Sequence, residues 1–277
     1  MLTCFISFPQ SKIPTLRQNI KVPLAARCTI ILQRPSPHVN IILFSPEEIS
    51  RPLPRRDPRA VHLLGVLHRQ PGDTFDAGLV NGPRGKGTLV TVGDHALTLS
   101  FAWGEPPPSL HPIHLLIGLP RPQTARDILR EATSLGVASM HFICTEKGEA
   151  SYANSTLWKS DGWREYVMLG AAQAFCTRLP AITRPPSLAE AIASLPADTA
   201  RIALDNYESP VSLSRIKLSG HKSATLALGS ERGWSAGERT LLRENRFIFA
   251  HLGERVLRTE TACIAAITLL KTRLGLL

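Results

Sequence analysis

Cysteine is sparse and scattered in this sequence. The five cysteines include no C-x-x-C pair, and they are Cys4, Cys28, Cys144, Cys176 and Cys263. An odd, dispersed set of this kind argues against a disulfide framework and against a zinc site. We therefore predict no metal site and a location in the reducing cytoplasm.

Long apolar runs are also lacking. No run reaches the roughly 18 residues of a membrane-spanning helix, and Lys271 and Arg273 interrupt the apolar C-terminal stretch. The first eight residues lack the basic start of a secretory signal. We therefore predict no membrane partner.

Acidic residues are outnumbered by basic ones. The sequence has 22 Asp and Glu residues and 32 Lys and Arg residues, which gives a formal net charge of +10. Such an excess favours binding to a polyanion, above all to nucleic acid. The alternative is a basic protein with no polyanionic partner, because net charge alone does not determine function.

The first 38 residues contain no acidic residue at all. Their five basic residues are Lys12, Arg17, Lys21, Arg27 and Arg34. We predict that residues 1–38 are a disordered tail or lie upstream of a true start near Val39. A targeting segment is the alternative, because transit peptides share this composition.

Two loops near the C-terminus each follow an apolar run and precede a helical pattern. We call residues 228–234 the glycine loop and residues 252–262 the closing signature. The apolar runs at 224–228 and 247–250 read as buried strands. Two successive strand–loop–helix units predict an α/β fold with a parallel sheet, and both loops then lie at its carboxyl edge, where ligands bind.

The closing signature carries a family resemblance. It reads Leu252-Gly253-Glu254-Arg255-Val256-Leu257-Arg258-Thr259-Glu260-Thr261-Ala262. It resembles the motif that closes the sequence of the RsmE-type methyltransferases, which methylate N3 of a uridine in 16S rRNA and belong to the knotted SPOUT class. The glycine loop is similar to that family's Gly-Pro-Glu-Gly-Gly-Phe, with Ser230 in place of Pro and Arg232 in place of Gly.

The resemblance implies S-adenosyl-L-methionine as methyl donor, a trefoil knot and a homodimer with its active site at the subunit interface. It implies 16S rRNA of the small ribosomal subunit, and not DNA, as partner. The implied cofactor-binding residues are Leu228, Gly229, Glu231, Gly233, Leu252, Gly253, Val256, Leu257, Thr259 and Thr261.

Arg258 and Glu260 are the predicted catalytic residues. Glu260 is a candidate acceptor for the N3 proton. Arg258 is a candidate for stabilising the negative charge on the uracil carbonyls. Each has a structural alternative. Glu260 can simply complement the start of a helix capped by Thr259 or Thr261, and Arg258 can form a salt bridge with Glu254 or Glu260. Glu231 is expected to order its own loop.

Residues 39–108 are predicted to form a PUA-like, RNA-binding β-barrel. Strands are expected at 41–44, 88–92 and 96–101, with a helix start at 45–48. The segment 62–73 is similar to the family's His-Leu-x-x-Val-Leu-Arg-x-x-x-Gly-Asp, with His68 replacing Arg. The candidate RNA-binding residues, whose alternative is a solvated surface, are Arg51, Arg55, Arg56, Arg59, His62, His68, Arg69, Arg84 and Lys86.

The proline-rich stretch 105–108 marks a domain boundary, and residues 109–277 are predicted to be the SPOUT methyltransferase domain. Strands are expected at 113–119, 137–143 and 201–204, and a helix at 163–177. Capping boxes are expected to open helices at Thr124, Ser187 and Ser235.

Four positions depart from the family pattern: Glu131, Ser134, Cys176 and Arg232. Cys176 is interpreted as a buried small apolar residue. The predicted function is methylation of N3 of a uridine in 16S rRNA. The alternatives are a non-catalytic rRNA-binding assembly factor and a SPOUT enzyme with a different RNA target.

Overall fold

Two β-sheets organise the part of the chain that this computed structural model describes, residues 41–218 and 220–277. The first sheet comes from the N-terminal third of these residues, and the second from the remainder. The prediction for residues 1–38 lies outside the described residues.

The first sheet has five strands in the order β1-β3-β4-β5-β2. They are β1 (Ile42–Phe44), β2 (Leu53–Pro54), β3 (Thr74–Leu79), β4 (Arg84–Val92) and β5 (Ala96–Trp103). β1 and β3 are parallel, and the other pairs are antiparallel. Phe44, Phe75, Leu89 and Leu97 form its core. Gly87 leaves room for the Phe75 ring, because a Cβ there would lie 2.3 Å from that ring.

Arg59 holds the start of this sheet together. Its guanidinium pairs with Glu48 at 2.6 Å and Asp57 at 2.8 Å, and it lies 5.0 Å from the Phe44 ring centre. Hydrogen bonds from Arg59 lower the pKa of Glu48 to about 2. The predicted helix start at 45–48 is wrong. Glu48 instead accepts from the Ser45 amide and closes a turn.

The second sheet has seven strands in the order β10-β12-β9-β11-β6-β7-β8, and every neighbouring pair is parallel. The prediction of a mainly parallel sheet in an α/β fold is confirmed. The strands are β6 (His111–Gly118), β7 (Val137–Ile143), β8 (Ala181–Thr183), β9 (Ala200–Leu204), β10 (Val211–Ser212), β11 (Ala224–Leu228) and β12 (Ile248–His251).

Both faces of this sheet are buried, as expected for parallel strands. Leu115 packs in the cluster that contains residues of α2 and α7, and Leu116 packs in the cluster with α5 and α6. The helices are α1 (Pro58–Val61), α2 (Pro122–Ser134), α3 (Thr156–Lys159), α4 (Trp163–Gln173), α5 (Leu188–Ala193), α6 (Ala236–Glu244) and α7 (Thr259–Arg273). Among the described helices, none is long and apolar enough to cross a bilayer.

Two of the three predicted capping sites are correct. Ser235 and Glu238 form a reciprocal capping box at α6, and Ser187 caps α5 by accepting from the Glu190 amide. The capping box at Thr124 is wrong. α2 begins two residues earlier at Pro122, whose fixed φ suits a first helical position.

The segment that follows α4 joins the two sheets. α4 ends at Gln173 and not at residue 177, because Phe175 adopts a φ of +53° that stops the helix. Thr177 donates to the Gly82 carbonyl, and the Leu179 amide donates to Asn81 at 2.9 Å. Cys176 in this segment is half-buried and not buried as predicted, because its thiol lies against the Arg178 carbonyl of its own segment, 3.9 Å away, and not in a core cluster of the described residues.

Two of the departures from the family pattern lie on α2, and one of them, Ser134, contacts α4. The Ser134 hydroxyl donates to the Gly170 carbonyl at 3.0 Å, and Glu131 pairs with Arg130 at 2.7 Å. A Cβ at Gly170 would lie 2.2 Å from the Arg130 carbonyl oxygen. The two helices are therefore in close contact at these positions.

A chain of polar side chains crosses three strands of the second sheet. The Nδ1 atom of His114 lies 2.8 Å from the Ser139 hydroxyl, which lies 2.9 Å from Nε2 of His141. Nδ1 of His141 is 2.7 Å from the Thr183 hydroxyl. Burial lowers the pKa of both imidazoles, and His114 lowers that of His141 further.

We predict that the free energy of unfolding decreases as the pH falls below the ordinary imidazole value of 6.5. In that window the unfolded chain binds more protons than the folded chain, so acid favours unfolding. His111, whose pKa is also lowered, acts in the same direction. Urea unfolding between pH 7.5 and 5 measures the effect.

The variant His141→Gln should flatten this pH dependence, because one of the titrating groups is gone. The exposed His95, in the turn between β4 and β5, provides the control His95→Gln. The prediction fails where both variants show the wild-type pH dependence.

Candidate active site

Three loops at the carboxyl edge of the second sheet enclose a cavity of about 490 Å³, here called the edge cavity. They are the glycine loop after β11, the closing signature after β12 and residues 204–207 at the end of β9, here called the Asp205 loop. Nine of the ten predicted cofactor-binding residues line it: Leu228, Gly229, Glu231, Gly233, Leu252, Gly253, Val256, Leu257 and Thr259.

The tenth, Thr261, is not part of the lining. It is exposed in the first turn of α7. Other lining residues are Leu204, Asp205, Asn206, Tyr207, Ser230, Arg232, Ala250, His251, Glu254, Arg255 and Ala262.

The glycine loop is a tight turn. The Gly233 amide donates to the Ser230 carbonyl at 2.8 Å, and Gly233 has a φ of +68°. A Cβ at Gly229 would lie 2.9 Å from the Gly233 carbonyl carbon, so glycine is needed there as well. Glu231 and Arg232 occupy the exposed corner of the turn.

Contacts from neighbouring elements hold this turn in place. Glu231 accepts from the Arg121 amide at 2.9 Å, just before α2. The fully buried Trp234 donates from its indole nitrogen to the Leu204 carbonyl. A Cβ at Gly118 would lie 2.4 Å from the Ser230 nitrogen, so the end of β6 also presses against the turn. These contacts support the interpretation that Glu231 orders its loop.

The Asp205 loop is a part of the site that the sequence reasoning missed. Asp205 is buried, accepts from the Tyr207 and Glu208 amides, and pairs with the buried Arg239 at 2.8 Å. A signal was present, because Asp205 directly follows a predicted strand of the parallel sheet. Its place at the carboxyl edge follows from that position.

His251 is a second lining residue without a predicted role. Its Nδ1 atom accepts from the Gly253 amide at 3.0 Å, so the neutral ring carries its proton on Nε2. Gly253 has a φ of +115°, which a residue with a side chain adopts rarely. The backbone therefore turns sharply just after β12.

The end of the closing signature forms the start of α7. Glu260 lies in its first turn, as predicted. The predicted cap by Thr259 or Thr261 is wrong, because Arg258 occupies the N-cap position and its side chain makes no capping hydrogen bond. Within residues 41–218 and 220–277, the amides of the first turn thus have no side-chain acceptor.

Arg258 is exposed and makes no ion pair within residues 41–218 and 220–277. The alternative salt bridge with Glu254 or Glu260 is therefore wrong. Neither Arg258 nor Glu260 belongs to the lining of the edge cavity, although Leu257 and Thr259 on either side of Arg258 do.

The nine candidate RNA-binding residues differ in whether their side chains already form ion pairs or hydrogen bonds within the protein. Arg59 pairs with Glu48 and Asp57. Lys86 pairs with Asp76 at 2.6 Å, and Arg84 donates to the Phe175 carbonyl. Arg55 donates to the Gly93 carbonyl. The remaining ones are half-buried or exposed without an ion pair in the described structure: Arg51, Arg56, His62, His68 and Arg69.

No cluster of three or more His, Cys, Asp or Glu side chains suited to a metal ion occurs among the residues that the structure describes.

Residues 106–271 match the family model of the RNA methyltransferase domain. The chain is 36% identical to ribosomal RNA small subunit methyltransferase E of Treponema pallidum, over 82% of this chain and 89% of that protein. It is 29% identical to ribosomal RNA small subunit methyltransferase E 1 of Borreliella burgdorferi, over 82% of this chain and 95% of that protein.

Solved structures share the fold. A ribosomal RNA small subunit methyltransferase E from Neisseria gonorrhoeae, bound to S-adenosyl methionine, superposes with a TM-score of 0.67 at 22% identity, covering 85% of this chain and 98% of that chain. A probable rRNA-methyltransferase from Porphyromonas gingivalis gives a TM-score of 0.71 at 21% identity, covering 85% and 99%.

We predict that Glu231→Ala loosens the glycine loop. The change removes the acceptor of the Arg121 amide, a hydrogen bond that contributes about 1 kcal/mol. Hydrogen–deuterium exchange of residues 228–234 should become faster. Glu231→Gln keeps a side-chain oxygen in the same place and should behave like the wild type. Equal exchange in the two variants would contradict this role.

Proposed function

Because this chain belongs to the RNA methyltransferase family, and within it to the ribosomal RNA small subunit methyltransferases E, we propose that it methylates N3 of a uridine in 16S rRNA of the small ribosomal subunit, in the cytoplasm. The methyl donor is S-adenosylmethionine. The observation that carries the proposal is the edge cavity, which the closing signature and the glycine loop line together.

The edge cavity fits this cofactor. Its volume of about 490 Å³ lies within the usual range for small-molecule sites. Leu228, Leu252 and Leu257 offer apolar contacts, and the loops offer backbone amides and carbonyls. The uncapped first turn of α7 offers amides to a carboxylate. When bound, the cofactor supplies a methyl group on a positively charged sulfur.

The register of the second sheet supports a knotted path. Leu204 of β9 and Val211 of β10 both pair with Ala250 of β12, which lies between these two strands. The short connection at 205–210 must therefore cross β12 near Ala250. The chain that continues from β12 then passes beside this crossing before it forms α7.

The first sheet supports the assignment of residues 39–108 to a PUA-like RNA-binding domain, with residues 109–277 as the methyltransferase domain. The last strand of the first sheet, β5, ends at Trp103, just before the proline-rich boundary. Arg51, Arg56 and His68 are exposed on this part of the chain. In this role they contact RNA phosphates and orient the substrate without reading its sequence.

Arg258 and Glu260 act on the uracil. N3 of a neutral uracil is a poor nucleophile, so its proton has to leave, and Glu260 accepts it directly or through water. Arg258 stabilises the negative charge that spreads over the two uracil carbonyls. Its side chain is exposed and has no ion pair among the described residues, which suits this task.

A homodimer completes the site. Arg258 and Glu260 lie outside the lining of the edge cavity of their own chain. Val256, which does line it, is 80% exposed. A second copy packed against this edge would cover Val256 and bring catalytic side chains toward the cavity.

Tritium transfer tests the reaction. The protein is incubated with labelled S-adenosylmethionine and small subunits that lack uridine-N3 methylation, and the rRNA is digested to nucleosides. We expect label in 3-methyluridine. Label in another nucleoside would refute the N3 assignment, and cofactor binding without label on subunits or naked rRNA would refute the target. Absence of cofactor binding would refute the methyltransferase assignment.

We predict that Arg258→Ala lowers kcat about 100-fold or more, because a group that stabilises developing charge is lost. The dissociation constant of S-adenosylmethionine should stay within about twofold of the wild-type value, since Arg258 does not line the edge cavity. Arg273→Ala, at the other end of α7, is the matched control. A raised KM with an unchanged kcat would instead assign Arg258 to RNA binding.

A further inference from the structure

An aromatic side chain stands exposed at the edge cavity. Tyr207 lines the cavity, yet its residue surface is 80% exposed. Leu204 and Ala250, which also line it, are half-buried and buried. The Tyr207 ring therefore lies at the mouth of the cavity and adds little to the core.

The backbone beneath this ring is held firmly. Asp205 accepts from the Tyr207 amide at 2.7 Å and from the Glu208 amide at 2.8 Å. The buried Arg239 pairs with Asp205, and its guanidinium carbon lies 5.6 Å from the Tyr207 ring centre. Glu208 is tied in turn to Arg243. An exposed ring thus stands on a rigid support.

The contacts beneath the Tyr207 ring contribute little to the stability of the folded protein. Burying the Asp205–Arg239 pair carries a desolvation cost that offsets most of its attraction. Exposed Tyr207 removes little apolar surface from water. The arrangement instead fixes where the ring stands, which matters when something binds to it.

Two exposed arginines near Tyr207 suit a nucleic acid. Arg232 and Arg255 line the same cavity, are exposed and make no ion pair in the described part of the chain. Of the nearby carboxylates, Glu231 accepts from the Arg121 amide and Glu208 pairs with Arg243, whereas Glu254 is exposed at the same cavity. Exposed aromatic rings next to arginines are the usual means of holding unpaired RNA bases and their phosphates.

We propose that Tyr207 is a stacking platform for an unpaired RNA base beside the methyl-accepting uridine, with Arg232 contacting a neighbouring phosphate. The inference rests on the proposed function, because it needs RNA at the edge cavity. It adds a substrate-binding residue on the Asp205 loop. The ring stands at the mouth of the cavity, which favours RNA over the cofactor as its partner.

The test compares Tyr207→Ala with Tyr207→Phe, which keeps the ring and loses only the hydroxyl. Binding of unmodified full-length 16S rRNA is measured directly, beside calorimetric binding of S-adenosylmethionine and the oligomeric state by light scattering. We expect Tyr207→Ala to weaken rRNA binding about tenfold, the loss of one stacked base. Tyr207→Phe should bind like the wild type.

Arg232→Gln tests the phosphate contact. It should weaken rRNA binding and reduce the slope of log Kd against log salt concentration by about 0.7, the value for one phosphate contact on a single strand. Because Arg232 lines the edge cavity, cofactor affinity is measured beside rRNA affinity, and a loss of both by the same factor would assign Arg232 to the cofactor instead. An unaltered salt slope would remove Arg232 from the proposal.

Three outcomes would overturn the role of Tyr207: rRNA binding unchanged in Tyr207→Ala, cofactor binding weakened by the same factor as rRNA binding, or a change of oligomeric state. The second would place the ring on the cofactor, and the third on a second copy of the chain. These binding measurements do not depend on turnover. A protein that binds rRNA through Tyr207 but transfers no methyl group would refute the proposed function alone.

Discussion

The candidate site depends on one constraint: β9, β11 and β12 end side by side at the same edge of the second sheet. Leu204 is paired with Leu228 on one side and with Ala250 on the other, so the three strands finish within a residue of one another. All three are parallel, and their loops therefore leave the sheet at the same edge. A shift of one residue in either register would turn side chains to the opposite face and separate the loops. The edge cavity is a consequence of sheet register more than of any single side chain.

The loops are then fixed by polar contacts to elements that do not belong to them. Trp234 ties the glycine loop to the end of β9, Glu231 ties it to the start of α2, and Arg239 of α6 ties down Asp205. Each contact crosses from one loop to another element of the second sheet or its helices. Such cross-links order the walls of the cavity before any ligand arrives, which reduces the entropy lost on binding.

The sequence predicted what depends on local pattern and missed what depends on neighbours in space. The strand at 224–228 and the capping box at Ser235 were correct because apolar runs and capping residues act over a few positions. The Asp205 loop carries no motif, and it joins the site only through the order of the strands. Likewise, the sequence of the arginine-rich stretch does not predict that Arg59 pairs with two carboxylates while Arg56 is exposed.

The two departures from the family pattern in the glycine loop, Ser230 and Arg232, avoid the positions at which the turn requires glycine. Gly229 and Gly233 carry the steric and conformational demands of the turn, one through close backbone approach and one through a φ of +68°. Arg232 does not have a positive φ, so glycine is not required at its position. An arginine there costs little strain and places a permanent charge at the cavity. Ser230 in turn brings a buried hydroxyl that has no hydrogen-bond partner among the described residues. This chain therefore has glycine at the two positions where the turn requires it, and an exposed arginine between them that lines the cavity.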